Sequence, residues 1–201
     1  GTADALVQEF DIGIFYHEAG TSFAENITID QAGVRLQGLG KSVSRIAPAA
    51  GIGINVASGS HNYQLNDFAI TPVLGSNAID VNGSDGGIIQ GINANLAGGY
   101  GGAFVDVDST SDENVIEDCH TMTALGDVIV CSGARNIIRN NTLGDGGNAS
   151  VHAVNLNHAN ADDCEIYGNR FNMIVDSGII NMAAGVTGLV LDNNSGTSGF
   201  H

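Results

Sequence analysis

The feature of this sequence that most limits its fold is a short phrase that recurs about every 26 residues. Each copy holds an apolar residue, then one variable residue, and then Gly, Asn or Asp. Seven apolar anchors divide a span of 155 residues into six intervals: Leu36, Leu65, Ile89, Ile116, Ile138, Ile166 and Leu191. A period of this length is typical of a solenoid, in which each repeat buries its apolar face against the next repeat.

A bend is predicted directly after each anchor. The residue two positions later always tolerates the left-handed backbone conformation: Gly38, Asp67, Gly91, Asp118, Asn140, Gly168 and Asn193. Because these residue types adopt positive φ at little steric cost, each phrase is predicted to be a short strand that ends at a corner.

A second series of apolar phrases precedes the anchors by eight to ten residues. Phrases such as AIDV and FVDV alternate with a period of two, which indicates a strand with one buried face. The predicted inward residues are Val56, Val81, Val107, Val130, Leu156 and Met182. The predicted outward residues are Asn55, Asp80, Asp106, Ile129, Asn155 and Asn181.

Period, short strands and bends together predict an all-β, single-domain parallel β-helix of about seven coils. Each strand would pair with its equivalent one coil later, at about 4.8 Å. A β-sandwich is disfavoured because its strands do not recur as equivalent phrases at one period. We assign residues 26–201 to the β-helix and residues 1–25 to an N-terminal lead-in strand or cap.

Three asparagines are predicted to form a structural ladder. Asn141, Asn169 and Asn194 each stand three residues after an anchor, so they would lie above one another on successive coils. Stacked side-chain amides can then hydrogen-bond to each other along the axis.

The stretch NITIDQAGVRLQGLGKSVSRIAP, Asn26 to Pro48, resembles the opening coil of the right-handed parallel β-helix superfamily, which includes pectate-lyase-like proteins and phage tailspikes. Leu36, Gly38, Gly40 and Ile46 stand where that coil expects them, and the likeness extends to Gly196. The resemblance implies a right-handed coil. It implies little about activity, because the superfamily contains lyases, hydrolases, epimerases, adhesins and virion parts. No catalytic motif of the superfamily matches, so no catalytic residue is carried over.

The charge of the chain excludes two classes of partner. Six basic residues against 22 acidic ones give a net charge of −16, which disfavours nucleic acid and anionic membrane surfaces. No apolar run is long enough to cross a bilayer. The three cysteines, Cys119, Cys131 and Cys164, have no zinc or disulfide spacing, so we interpret them as small buried hydrophobes.

Outward acids and amides on the second series form a candidate site. Asp80, Asp106 and Asp108 are the candidate catalytic residues, because adjacent coils would hold two carboxyl groups about 5 Å apart, as a retaining glycosidase does. Asn82, Asn155 and Asn157 are candidate binding residues on the same stripe. Calcium could also bind these oxygens, although no cofactor is predicted. The alternative is that the acids are merely solvated.

The outward column beside the anchors supplies two more candidate binding residues. Glu117 and Arg139 would lie on adjacent coils and could form an ion pair. A lyase resembling pectate lyases would need a basic residue beside the acidic stripe, and Arg139 is the only basic residue of this column between Gln37 and Asp192.

The leading hypothesis from sequence is a non-enzymatic structural or adhesive β-helix in a bacteriophage virion, such as a tailspike shaft, fibre or capsid decoration protein. Few aromatic residues and no clear catalytic cluster favour it. The alternative is a polysaccharide lyase or glycoside hydrolase that uses the acidic stripe, and a calcium-bound surface adhesin is a third reading.

Assembly and location follow from the same hypothesis. Because the ends of a β-helix expose unpaired strand edges, we expect a homo-oligomer, with a trimer favoured, or contacts with other virion proteins. Carbohydrate is a further possible partner. The expected location is a virion or the extracellular space.

Overall fold

The computed structural model describes residues 14–16, 22–95, 102–122, 126–145, 149–150, 152–172, 174–175 and 179–196. All regular structure in these ranges is β-strand, and every strand pairing is parallel. Nowhere in these ranges is there a helix long and apolar enough to span a membrane. The chain coils so that each strand pairs with its equivalent in the next coil, which confirms the predicted single-domain parallel β-helix.

Three long sheets form the walls of the coil, and we name them A, B and C. Sheet A has eight strands: β1 (Ile14–Tyr16), β4 (Arg35–Gln37), β7 (Gln64–Asn66), β10 (Ile88–Gln90), β13 (Val115–Glu117), β16 (Ile137–Arg139), β20 (Glu165–Tyr167) and β24 (Val190–Asp192). Sheet B has eight: β2 (Ser22–Phe23), β5 (Arg45–Ile46), β8 (Ala69–Ile70), β11 (Asn93–Asn95), β14 (His120–Met122), β17 (Thr142–Asp145), β21 (Arg170–Phe171) and β25 (Ser195–Gly196).

Sheet C has seven strands: β3 (Ile27–Ile29), β6 (Ile54–Val56), β9 (Ile79–Val81), β12 (Val105–Val107), β15 (Ile129–Cys131), β19 (Val154–Leu156) and β23 (Ile180–Met182). A short fourth sheet pairs β18 (Ala149–Ser150) with β22 (Ile174–Val175). The strand β1 lies in the segment that we assigned to the N-terminal lead-in, and it pairs with β4 of sheet A.

The seven predicted anchors occupy one column of sheet A. Strand pairing sets Leu36, Leu65, Ile89, Ile116, Ile138, Ile166 and Leu191 in register along the axis. The anchors from Leu65 to Ile166 are fully buried, while Leu191 on the last strand of the sheet is half exposed. Stacked aliphatic side chains of this kind form the continuous core, to which Tyr63, Phe68, Phe104 and Phe171 add aromatic volume.

The bend after sheet A has the left-handed backbone that the sequence predicts. Positive φ is found at Asp67, Gly91, Asp118, Asn140, Gly168 and Asn193. Gly38, the first residue of this column, does not have positive φ; a Cβ there would lie 2.2 Å from the carbonyl oxygen of Asp67. Glycine is therefore required at position 38 for space, whereas the later members are selected for backbone conformation.

The three asparagines after this bend stack along the axis. The Asn141 Nδ2 donates to Asn169 Oδ1 at 3.0 Å, and Asn169 Nδ2 donates to Asn194 Oδ1 at 3.0 Å. Each of the three Nδ2 groups also donates to the carbonyl of an anchor in the preceding coil. A buried corner therefore keeps its polar groups hydrogen-bonded, which burial requires.

One strand of sheet C departs from the predicted orientation. Ile129 and Cys131 of β15 are fully buried and Val130 is partly exposed, so Val130 faces outward and its two neighbours face inward. The prediction of Val130 as inward and Ile129 as outward is wrong by one residue. Since the phrase VIVC has no polar residue, its alternation does not show which face is buried.

The three cysteines are buried and unpaired, as predicted. Burial raises the pKa of the Cys119 thiol to about 12. Cys131 and Cys164 lie close together in the core, and the Cys164 contact and burial raise the pKa of Cys131. These side chains therefore act in packing.

Candidate active site on sheet C

The outer face of sheet C carries a column of polar side chains. Strand pairing sets the outward residues in register along the axis: Asn55, Asp80, Asp106, Val130, Asn155 and Asn181. Neighbouring members stand on strands about 4.8 Å apart. Asp80 on β9 and Asp106 on β12 are direct Cα partners, so their two carboxyl groups share one place on this face.

The side chain of Asn77 lies between the two acids. Its Oδ1 accepts the Ala103 N–H at 2.7 Å, which fixes the orientation of the amide. Its Nδ2 then donates to Asp106 Oδ2 at 3.1 Å. Asn77 is also close enough to Asp80 to lower the pKa of that carboxyl group, so one amide influences both acids. The sequence reading had not singled out Asn77, because it precedes the strand rather than lying in it.

Both acids are harder to ionise than an ordinary Asp. Burial raises the pKa of Asp80, and the Asn77 hydrogen bond only partly opposes this. Burial also raises the pKa of Asp106, and the nearby charges of Asp80 and Asp108 raise it further. In addition, Asp80 Oδ1 is buried and accepts no hydrogen bond from any described residue. A half-buried carboxyl pair of this kind holds a proton more readily than a solvated one.

Asp108 has a different environment from the other two candidates. Its Oδ1 accepts hydrogen bonds from Ser111 Oγ at 2.6 Å, from the Thr110 N–H at 3.0 Å and from the Gly83 N–H at 3.2 Å. Burial tends to raise the pKa of Asp108, but these donors outweigh burial and lower it. Asp108 therefore remains ionised and stabilises the turn after β12.

A second polar cluster lies two coils further along the same face. Asp127 Oδ1 lies 2.7 Å from His152 Nδ1, and Asp127 Oδ2 accepts from Asn155 Nδ2 at 2.5 Å. Asn155 Oδ1 in turn accepts from Asn181 Nδ2 at 2.9 Å. The side chains of His152 and Asp127 are only 12% and 19% exposed. The sequence reading missed this pair, although both residues stand three positions before the outward residue of their strand, as Asn77 does.

The remaining candidates on this side hydrogen-bond to equivalent coils. Asn82 Nδ2 donates to Asn55 Oδ1 at 2.8 Å, and Asn157 Oδ1 accepts from Ser132 Oγ at 2.5 Å. Within the described ranges, no group of three or more His, Cys, Asp or Glu side chains is placed to hold a metal ion. The calcium hypothesis for the stripe gains no support from this arrangement.

Glu117 and Arg139 lie on the outer face of sheet A. Arg139 Nε donates to Glu117 Oε2 at 2.6 Å, and Arg139 Nη1 donates to the Tyr167 hydroxyl at 3.1 Å. The structure therefore forms the ion pair but does not bring Arg139 to the acidic pair on sheet C.

Comparison with solved structures finds enzymes of the same fold. The catalytic domain of a GH87 alpha-1,3-glucanase in complex with nigerose is 18% identical, with a TM-score of 0.64, over 97% of this chain and 43% of that chain. A pectin methylesterase in complex with a hexasaccharide is 13% identical, with a TM-score of 0.64, over 88% of this chain and 63% of that chain. A pectin methylesterase from Yersinia enterocolitica is 10% identical, with a TM-score of 0.56, over 100% of this chain and 92% of that chain.

These likenesses are likenesses of fold. No protein-family model matches the sequence, and no curated protein matches it. The chain spans less than half the length of the glucanase domain. What these likenesses confirm is the predicted fold, a parallel β-helix.

The comparisons correct the leading functional hypothesis. A non-enzymatic virion component was expected, but the structural neighbours are carbohydrate-active enzymes, several with oligosaccharides bound. These neighbours give no support to a role in a virion, as a tailspike or as a capsid decoration protein. These neighbours accord better with the alternative hypothesis, an enzyme that acts on polysaccharide, than with a virion part.

Proposed function

We propose that this chain is a glycoside hydrolase acting on a polysaccharide, with Asp106 and Asp80 as its catalytic carboxyl groups. The observation that carries the proposal is the in-register pair on β9 and β12, which is partly buried and in which Asp106 accepts a hydrogen bond from Asn77. The fold that the chain shares with sugar-bound enzymes supports the choice of substrate class.

The different surroundings of the two acids suggest different roles. Asp106 has two carboxylate neighbours as well as burial to raise its pKa, so it keeps the proton and acts as general acid. It would protonate the glycosidic oxygen as the bond from that oxygen to the anomeric carbon breaks. Asp80, in its ionised form, would attack the anomeric carbon. The Asp106 carboxylate would then take a proton from the water that releases the sugar.

The position of the basic residues favours hydrolysis over lyase chemistry. Arg35 and Arg139 lie on sheet A, and Arg45 and Arg170 lie on sheet B. Arg135 pairs with Asp112 and Glu113 at a bend, and Lys41 donates to the Asp118 carbonyl. These are all six basic residues of the chain, and none lies on sheet C beside the acids. A β-elimination that uses Arg or Lys as base has no candidate there.

Release of reducing ends from polysaccharides tests the proposal. The purified protein is incubated with a set of soluble and particulate glycans, beside the double variant Asp80→Asn, Asp106→Asn. We expect cleavage by the wild type and none by the variant. Glu117→Gln is the matched control, because it neutralises an acid on the other face. Cleavage that survives the double change would remove these acids from the mechanism.

The anomeric configuration of the first product tests the pairing of Asp80 with Asp106. Carboxyl groups about 5 Å apart act as nucleophile and acid, and they give retention of configuration. Proton NMR of the fresh product reads the configuration directly. Inversion would mean that the base is another, more distant group.

Location and assembly remain proposals of the same kind. An extracellular location accords with a polysaccharide substrate. A homo-oligomer, with a trimer favoured, is tested by sedimentation velocity, and a monomer at high concentration would contradict it.

A further inference from the structure

The outer face of sheet C is acidic over a length of several coils. Asp80 and Asp106 stand on β9 and β12, and Asp127 comes just before β15. No Lys or Arg neutralises them, because all six are placed on sheets A and B or at bends. Even with Asp106 protonated as the general acid, a polymer that carries one carboxylate per sugar would meet the negative charges of Asp80 and Asp127 along this face, and like charges at an interface cost binding energy.

The cluster around Asp127 offers hydrogen bonds suited to an uncharged ligand. Both Asp127 oxygens are occupied, by His152 Nδ1 and Asn155 Nδ2. An aspartate acceptor places a hydrogen on His152 Nδ1, which leaves the Nε2 edge of the ring to hydrogen-bond to a ligand. Each amide of Asn155 and Asn181 uses one N–H in the ladder and keeps a second. A sugar hydroxyl both donates and accepts, so it matches this mixture of groups.

Apolar and polar contacts alternate along the face. Val130 is partly exposed between Asp106 and Asn155 in the outward column, where it can contact the C–H face of a sugar ring. From Asp80 to Asn181 the column crosses four strand spacings, or about 19 Å. That length accommodates several sugars laid along the axis.

We infer that the outer face of sheet C binds an uncharged glycan, with His152, Asn155 and Asn181 forming a second subsite two to three coils from Asp106. The inference rests on the proposed function, and it narrows the substrate class by excluding polyuronates and sulfated polymers. The Asp127 carboxylate positions His152 and Asn155 and does not itself contact the sugar.

Binding is measured separately from cleavage, so that the two proposals fail differently. Affinity electrophoresis of Asp106→Asn protein is run in gels that contain α-1,3-glucan, dextran, xylan or mannan, and in gels that contain polygalacturonate or alginate. We expect retardation by at least one neutral polymer and by neither anionic one. Retardation should persist at about 1 M NaCl, where electrostatic screening is nearly complete.

The subsite is tested with His152→Leu in the same background, with His158→Leu at an exposed position as the matched control. We expect His152→Leu to weaken binding about three- to tenfold, as loss of one hydrogen bond does, and the control to leave it unchanged. If thermal unfolding shows that His152→Leu is not folded, the exposed Asn181→Leu replaces it and should weaken binding similarly.

Three results would overturn the inference: preferential binding of an anionic polymer, no binding to any neutral polymer of the set, or unchanged binding in the folded subsite variants. Binding without cleavage by the wild type would instead count against the hydrolase.

Discussion

The outer faces of sheets A and C both carry acidic side chains, but the environments of their carboxyl groups are opposite. On sheet A, Glu117 is paired by Arg139, and Arg139 is further held by Tyr167. On sheet C, Asp80 and Asp106 are direct partners on neighbouring strands, and the side chain that donates to Asp106 is the neutral Asn77. A neighbouring cation stabilises the ionised form of a carboxyl group. Partial burial beside a second carboxyl group destabilises the ionised form.

The difference shows which acids can do chemistry. A paired carboxylate such as Glu117 has a donor that a substrate would have to displace. A carboxyl group with a raised pKa and no cation beside it can hold a proton and release it to a substrate. The contrast of environments therefore identifies the site better than the number of acids, since 22 acidic residues are spread over the chain.

The largest expected effect is a loss of catalytic activity when an acid on sheet C is replaced. Asp106→Asn should lower kcat/KM on polysaccharide by about 10²- to 10⁴-fold, because general acid catalysis contributes that much. An aryl glycoside with a good leaving group needs little protonation, so its cleavage should fall much less. Initial rates on both substrates give the ratio. An equal loss on both would assign Asp106 a role other than the acid.

The fold was more predictable from the sequence than the site was. The seven anchors could be placed in register because each is an apolar residue followed by a residue that tolerates a left-handed bend, and six of the seven bends have that conformation. The orientation of β15 could not, because all three of its residues are apolar. In that strand only the packing of neighbouring coils determines which side is buried.

The site was partly predicted for a related reason. Asp80 and Asp106 were found because they alternate with buried residues within a strand. Asn77, Asp127 and His152 precede their strands. The bonds from Asn77 to Asp106 and from Asn155 to Asp127 join residues three positions apart on adjacent coils, and His152 contacts Asp127 at the equivalent position. Such contacts depend on the shape of the bend, which period and alternation do not give. Asp108 was grouped with the catalytic acids because its turn hydrogen bonds cannot be inferred from spacing.

The second effect is on the free energy of unfolding. Neutralising an acid should change it in opposite directions on sheet C and on sheet A. Asp106→Asn should stabilise the folded protein at pH 7 by on the order of 1 kcal/mol, as changes that relieve functional strain commonly do. Glu117→Gln should destabilise it by less than about 1 kcal/mol, because it leaves Arg139 without its ionic partner. Urea unfolding measures both. Equal signs would show that Asp80 and Asp106 are no more strained than Glu117.

A third effect is the pH dependence of these differences. The pKa of Asp106 in the folded state is raised above its ordinary value of 3.8, so its contribution to stability is fully present below 3.8 and is lost as pH rises through the folded-state pKa. For Asp108 the folded-state pKa is lowered, so its contribution is present above 3.8 and is lost as pH falls through the folded value. Melting temperatures of Asp106→Asn and Asp108→Asn, each compared with the wild type between about pH 3 and pH 7, should therefore change in opposite directions. Parallel curves would mean that the two acids share one environment after all.

The smallest expected effect is that of a change at Tyr167, and it tests whether sheet A takes part in sugar binding or catalysis. Tyr167→Phe removes the hydroxyl that accepts from Arg139 Nη1 but leaves the Arg139 bond to Glu117 in place. Since the Arg139 side chain is 36% exposed, water can replace the lost acceptor, and the cost should be below about 0.5 kcal/mol. Activity and glycan binding should not change, because Tyr167 lies on sheet A, whereas the acidic pair and its hydrogen-bond partners lie on sheet C. Urea unfolding and the rate on polysaccharide test this together: a fall in activity without loss of stability would place a sugar contact on sheet A and make the two faces partners in one site.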